Sequence, residues 1–398
     1  MSTSAAVNPF ASAKADLHEV LANLRRDRPV MEMTLPTGAT AWLVTRYEDA
    51  QRALTDPKLG KTTSAGGFSY RDMVPPDVAS AVSRHMLTIN PPDHTRIRRL
   101  VSGAFTARRV AAFRPRIEEL SERLLDEMEG SDRLDLIDSF AFPLPIQVLC
   151  ELLGVPSEDQ ASFRRWSDAI VTGGVNPAGL PPALIAIVAY IRELLAAKRE
   201  RPADDLLSGL IEARDNDDRL TDDELISMVY LFLIAGHETT VNLIGNGTLL
   251  LLAEPERWAR VVAEPELIPN AVEELLRYEG PVQSSTFRTA MAPTEIGGQA
   301  IPEGAFVLVS LLSANRDGDR FANADQLDLD RPVTPNLAFG HGIHYCLGAP
   351  LARLEGQIAF HALTRRFPKM RLAVPVEEIA WRPGMLLRGL TALPVIPG

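Results

Sequence analysis

The chain has 398 residues, 46% of them apolar and 23% charged, with a formal net charge of -11. Those proportions fit a globular protein with a large core, and an acidic balance without a basic arm speaks against nucleic acid as a main partner. Two cysteines exclude a disulfide scaffold and fit a reducing compartment. Met1–Val20 offers no apolar stretch of the signal-peptide or anchor type, so a cytoplasmic protein without membrane association is expected.

In chain order, Thr40–Thr45 reads as a short strand. Between His94 and Arg116 stand seven arginines (96, 98, 99, 108, 109, 114 and 116) and no acid. A solvated helix face and a site for an anionic cofactor or acidic partner both explain them. Residues 108–129 and 183–201 repeat apolar positions near 3.6 with charged faces and predict helices. Cys150, within the apolar run Ile146–Leu153, reads as a buried, inert thiol. The Gly- and Pro-rich stretch Thr172–Pro182 fits a mobile lid or a stiff connector equally.

Thr221 and Glu224 form a capping-box pattern that opens a helix of roughly 30 residues, about 45 Å long, ending near Ala253. Its apolar run Leu225–Gly236 is too short to span a bilayer, and the polar group His237-Glu238-Thr239-Thr240 sits mid-helix. A buried helix carrying a polar site is expected. Residues 284–312 alternate β-branched runs with Gly297-Gly298 and Pro302-Glu303-Gly304 turns, and Leu386–Val395 reads as a further hairpin. The expectation is a mainly α protein with small β regions and no linker-like break, hence a single domain over residues 1–398 and a monomer.

The most informative stretch is Phe339-Gly340-His341-Gly342-Ile343-His344-Tyr345-Cys346-Leu347-Gly348-Ala349-Pro350-Leu351-Ala352-Arg353. A glycine-rich turn presents one cysteine, and a helix begins beside it. A helix start and nearby arginine favour the thiolate, and amide N–H groups around the sulfur would tune a bound metal. Nucleotide fingerprints are missing: Gly340 and Gly342 do not extend to G-x-G-x-x-G, and no G-x-x-x-x-G-K-S/T occurs. His237-Glu238 is followed by Val241 where H-E-x-x-H needs a second histidine. The spacing F-G-x-G-x-H-x-C-x-G-x-x-L-A-R resembles the haem-binding loop of the cytochrome P450 family at every position.

The resemblance extends along nearly the whole chain. Ala235-Gly236-His237-Glu238-Thr239-Thr240 is similar to the family's oxygen-activation segment, in which Ala235 and Gly236 leave room for a flat cofactor and Thr239 can draw a hydrogen bond out of the helical ladder. His237 occupies the variable place of that motif and reads as structural. Glu274-Leu275-Leu276-Arg277 resembles the E-x-x-R pair, with Arg331 as the second arginine of a structural trio that holds the cysteine loop. Pro91–Leu100 resembles the helix beside the haem in bacterial members. His94, Arg98, Arg288 and His344 match the residues that hold the haem propionates, where buried carboxylates need charge-assisted donors. Gly318 departs from the proline common at that place.

The resemblance implies the cytochrome P450 fold, a single triangular domain crossed by a long central helix. It implies a class I, actinobacterial-type monooxygenase with haem b bound non-covalently through Cys346, contacts from Phe339 and Gly348, and no flavin or NAD(P) site of its own. Ferredoxin and ferredoxin reductase would supply electrons, and Glu238 and Thr239 would relay protons to bound O2. The substrate would be a hydrophobic macrolide, polyketide, steroid or other secondary metabolite, contacted from 61–88, 166–184, 228–235, 282–287 and 385–386. Two other readings stay open: a peroxide-driven or non-oxygenating haem-thiolate enzyme, and a haem-binding sensor without catalysis.

Overall fold

The computed structural model describes residues 8–10, 17–62, 70–104, 106–171, 177–215 and 218–398. The chain gathers into two compact units. One combines Met1–Phe68, Glu122–Ala141 and Thr239–Gly398, and the other combines Ser69–Ser121 and Phe142–Glu238. The architecture is mainly helical with small sheets, as the sequence leads one to expect.

The first unit is organised on a five-stranded sheet in the order Val30–Thr34, Thr40–Val44, Phe306–Val309, Arg288–Ala290, Leu59–Gly60. Thr40–Val44 runs antiparallel to Val30–Thr34 and parallel to Phe306–Val309. Side chains alternate across the sheet. Leu43 and Leu308 enter a cluster with Met31 and Met33, whereas Val44, Val307 and Val309 enter another with Phe321 and Leu337. Burial on both faces explains why Phe306–Val309 reads as a continuous apolar run, whereas Val30–Thr34 exposes Glu32 and Thr34.

The expected turns in 284–312 are present, with Gly297 and Gly298 at φ +53° and +77° between strands Thr294–Ile296 and Gln299–Ile301. The hairpin expected over Leu386–Val395 does not form. Pro394–Ile396 pairs instead with Arg371–Leu372 and with Leu134–Asp135, partners that local alternation cannot reveal.

The helix expected over 108–129 is two helices, Ala107–Ala112 and Arg114–Met128. Pro115 has no N–H with which to continue the first, and is tolerated in the first turn of the second. In the second unit the capping box forms as read: the Glu224 N–H donates to Thr221 Oγ1 at 3.3 Å and the Thr221 N–H to Glu224 Oε2 at 2.9 Å. The helix that follows is not continuous to Ala253. It runs Asp222–Ala235, breaks at Gly236-His237, and resumes as Glu238–Leu252.

Asp222–Leu252 and Leu180–Glu200 are long and apolar enough to cross a membrane by composition. Many of their apolar residues, among them Leu184, Ile187, Met228 and Leu233, are buried inside the protein, while Ile185 is exposed. Of the stretch read as lid or connector, residues 172–176 lie outside the described residues, and Pro177–Gly179 is a tight turn leading into Leu180–Glu200.

Candidate active site

The cysteine loop is a backbone construction. Gly340 and Gly342 take φ of +73° and +72°, a region that a side chain disfavours. A Cβ on Gly342 would also come within 3.0 Å of the Leu54 carbonyl oxygen. The Cys346 N–H donates to the Phe339 carbonyl at 3.0 Å, closing the loop across a single turn, Gly342–His344. Helix Ala349–Arg366 starts three residues after Cys346, with Gly348 as its cap and the Ala352 N–H donating to the Gly348 carbonyl at 2.9 Å. Cys346 is exposed, whereas Cys150 is buried and its thiol is pushed up to about 12 by desolvation. The Arg353 guanidinium lies 4.5 Å from the centroid of the Phe339 ring and pairs with Glu273, Nη2 to Oε2, at 3.1 Å.

The same unit contains Glu274, Arg277 and Arg331. Arg277 donates to the Glu274 carboxylate from Nε and Nη2 at 2.7 and 2.8 Å, and Arg331 Nε reaches both Glu274 oxygens at 3.1 Å. Glu274 and Arg277 are 3% and 2% exposed, so the pair is shielded from water and salt.

Arg288 is buried on its strand. Its Nη1 and Nη2 donate to the carbonyls of Leu59 and Leu54 at 3.1 and 3.0 Å, and its Nε has no partner among the described residues. Burial pulls its pKa down to about 10, against the opposing charge of Asp56, so it stays cationic at neutral pH. Lys61, which sequence reading placed only in a broad recognition loop, is also buried. Its ammonium donates to the carbonyls of Thr286 and Phe287 at 3.1 and 2.9 Å, fixing the irregular segment that leads into the strand beginning at Arg288. Desolvation and the nearby Arg288 charge lower its pKa well below the usual lysine value. No sequence signal marks a lone lysine for such a role. His344 is half-buried in the cysteine turn.

In the second unit, the helix break brings a change of exposure. Met228, Val229, Tyr230 and Leu233 are buried, but Ala235 is exposed and Ile234 and Gly236 are half-exposed, so one strip of the helix is open. A Cβ on Gly236 would collide with the Phe232 carbonyl oxygen and press on Leu149. Glu238 is buried and Thr239 follows it half-buried. On helix Asp93–Ala104, His94 is buried and Arg98 half-buried on one face. The His94 pKa is lowered by desolvation and then by the Arg98 charge.

Among the described residues, arginines 96, 109, 114 and 116 each meet an acid within this unit. Arg96 meets Asp218 and Glu224, Arg109 meets Asp204 at 3.7 Å, Arg114 meets Glu118 at 3.3 Å, and Arg116 forms a two-pronged pair with Glu151 at 2.6 Å.

The cytochrome P450 family model matches residues 186–372. Cytochrome P450 107B1 of Saccharopolyspora erythraea is 47% identical over 96% of this chain and 95% of its own length. The monooxygenase PikC of Streptomyces venezuelae is 44% identical over 96% and 91%. The structure of the polyketide-synthase cytochrome P450 PksS of Bacillus subtilis superposes with a TM-score of 0.91 at 41% identity, covering 98% of this chain and 100% of that one. The chain belongs to the cytochrome P450 family. It is a bacterial-type P450 monooxygenase, and the family's cofactor is haem iron. The residues present fit that group. The P450 loop exposes its cysteine beside a helix start, the buried Arg288 keeps one donor unpartnered, and the Ala235 strip leaves the helix surface open.

Proposed function

We propose that this P450 inserts one atom of O2 into a hydrophobic small molecule of the macrolide or polyketide type, with electrons from a ferredoxin and its reductase. The substrate class rests on the relatives, which include PikC and proteins named 6-deoxyerythronolide B hydroxylase and mycinamicin IV hydroxylase/epoxidase. A reducing, cytoplasmic setting suits an exposed thiol and a second, buried one.

The observation that carries the reading is the exposed residue Cys346 on a loop whose shape is set by glycine backbone. Its thiolate would bind the iron of haem b. Thiolate ligation supplies electron density that favours O–O cleavage. Arg288, His344, Arg98 and His94 would hold the propionates, the first through its unpartnered Nε. Phe339 would shield the sulfur from one side and Gly348 would keep side-chain bulk away from it. Ala235 and Gly236 leave space over the broken helix. Glu238 would pass protons to Thr239, whose hydroxyl would present them over the open strip of the helix. Aliphatic residues such as Leu231 and Ile234, half-exposed on the open strip, would exclude water and orient an apolar substrate. Because Arg96, Arg109, Arg114 and Arg116 are already paired with acids, ferredoxin docking would use fewer of the basic residues than the sequence offers.

The test is spectral and chemical. The ferrous carbonyl form of the purified protein is expected to show the red-shifted Soret band of thiolate ligation, and Cys346→Ala to lose it. A screen of macrolides for spin-state shifts, followed by mass spectrometry of products, identifies the substrate. A wild-type spectrum without the red-shifted band overturns the haem-thiolate assignment.

A further inference from the structure

The break at Gly236-His237 leaves backbone groups to account for. The Gly236 N–H still bonds the Phe232 carbonyl at 2.9 Å, but helix Asp222–Ala235 ends there, and the next rung, from the His237 N–H to the Leu233 carbonyl, is not made. A buried carbonyl without a donor is costly. Leu233 is buried, and its carbonyl is met instead by the His237 side chain, Nδ1 to O at 2.9 Å. A carbonyl oxygen only accepts, so Nδ1 carries the hydrogen.

The other ring nitrogen is also fixed. His237 Nε2 lies 3.0 Å from Ser167 Oγ on helix Gln160–Val171. Desolvation lowers the His237 pKa to about 4, so the ring is neutral at physiological pH and Nε2 accepts from the serine hydroxyl. The Phe142 ring stands edge-on to the imidazole, with centroids 5.7 Å apart. Imidazole, hydroxyl, carbonyl and ring leave His237 1% exposed and one orientation to adopt.

We propose that His237 is a positioning residue: its Nδ1–H replaces the missing rung at Leu233, holds the helix open at Gly236-His237, and so sets where Glu238 stands for proton delivery. The proposal rests on the monooxygenase reading for its last clause only. The first two concern hydrogen bonds that exist whatever the reaction. Leucine at this place would leave the Leu233 carbonyl without its donor, and the backbone would regain a partner by closing the ladder and turning Glu238 away. Glutamine keeps an N–H of similar reach.

Two measurements test it. Ring-15N spectra of the histidine-labelled holoenzyme, in the diamagnetic ferrous carbonyl state, are expected to show one neutral imidazole in the uncommon Nδ1–H form. It is assigned by its absence from His237→Gln among the seven histidines. An Nε2–H tautomer or an imidazolium at pH 7 overturns the cap. Hydrogen peroxide released per O2 consumed, with a surrogate ferredoxin and reductase, is expected to rise about fivefold in His237→Leu, the size of one lost hydrogen bond. It is expected to stay within about twofold of wild type in His237→Gln. No rise in the leucine variant, or an equal rise in both, overturns the positioning role. A wild-type protein that consumes no O2 sinks the oxygenase reading, while the tautomer measurement still decides the cap.

Discussion

Asn315 accepts the Arg277 guanidinium on its backbone carbonyl at 2.9 Å, while its side-chain Oδ1 accepts the Leu337 N–H at 2.6 Å. Leu337 in turn accepts the Gly340 N–H at 2.9 Å, so a chain of hydrogen bonds runs from the Glu274–Arg277 pair into the cysteine loop. Arg277 also donates to the carbonyls of Ala324 and Gln326 at 2.8 and 3.0 Å, and thus makes five hydrogen bonds, one for each donor that a guanidinium has.

Lysine cannot satisfy that set with three donors. Arg277→Lys is expected to lower stability by about 2–4 kcal/mol, since buried acceptors lose their donors. It is also expected to shift part of the ferrous carbonyl spectrum away from the thiolate band. A urea midpoint within experimental error of wild type contradicts this account.

Glu355 lies on the helix that follows the cysteine. It is 1% exposed, and its Oε2 has no partner among the described residues. Burial pushes its carboxyl well above the ordinary range, so the folded chain holds the proton to higher pH than the unfolded chain does. The unfolded chain loses it at about pH 4.3. The folded state therefore binds more protons above that point, and stability falls as pH rises from there toward the folded value. Glu355→Gln does not titrate. Its melting temperature is expected to fall less than that of wild type between pH 5 and 8, ending a few degrees higher at pH 8, at roughly 2 °C per kcal/mol. Parallel melting curves for the two proteins across that range would show that the carboxyl is not the source of the slope.

Arg288 keeps a buried cation whose Nε is unpartnered, and a charge-assisted bond to a carboxylate would complete it. Arg288→Leu is expected to speed haem transfer to apomyoglobin by about tenfold or more, the scale of one hydrogen bond to a charged group. An unchanged transfer rate removes Arg288 from the set of propionate ligands.

Much of the site was legible because its parts are local in sequence. The cysteine loop, the Glu274–Arg277 pair and the Ala235–Thr240 segment each fit within a few turns, and spacing alone puts their side chains together. Arg331, 57 residues after Glu274, could be named only by resemblance. What stayed hidden depends on partners distant along the chain. Apart from Glu118, one turn after Arg114, the acids named above for the arginine segment, Glu151, Asp204, Asp218 and Glu224, lie far beyond it. The strand Pro394–Ile396 finds Leu134–Asp135 rather than a hairpin neighbour. The helix break was only half legible: Gly236 is a poor helix former and Thr239 could be read as drawing a bond out of the ladder, but neither says that the helix stops and restarts. The competing bond comes from the His237 imidazole, which periodicity scores only as a polar interruption.

The loop around Cys346 divides shape from surface. Two left-handed glycines and a backbone bond from Cys346 to Phe339 dictate its path, while Ile343, at its outer edge, is 49% exposed. Outward residues there are open to replacement during divergence without displacing the sulfur. On the proposed reading, a lineage of such enzymes could thus change what meets an electron carrier while the cysteine stays where it was.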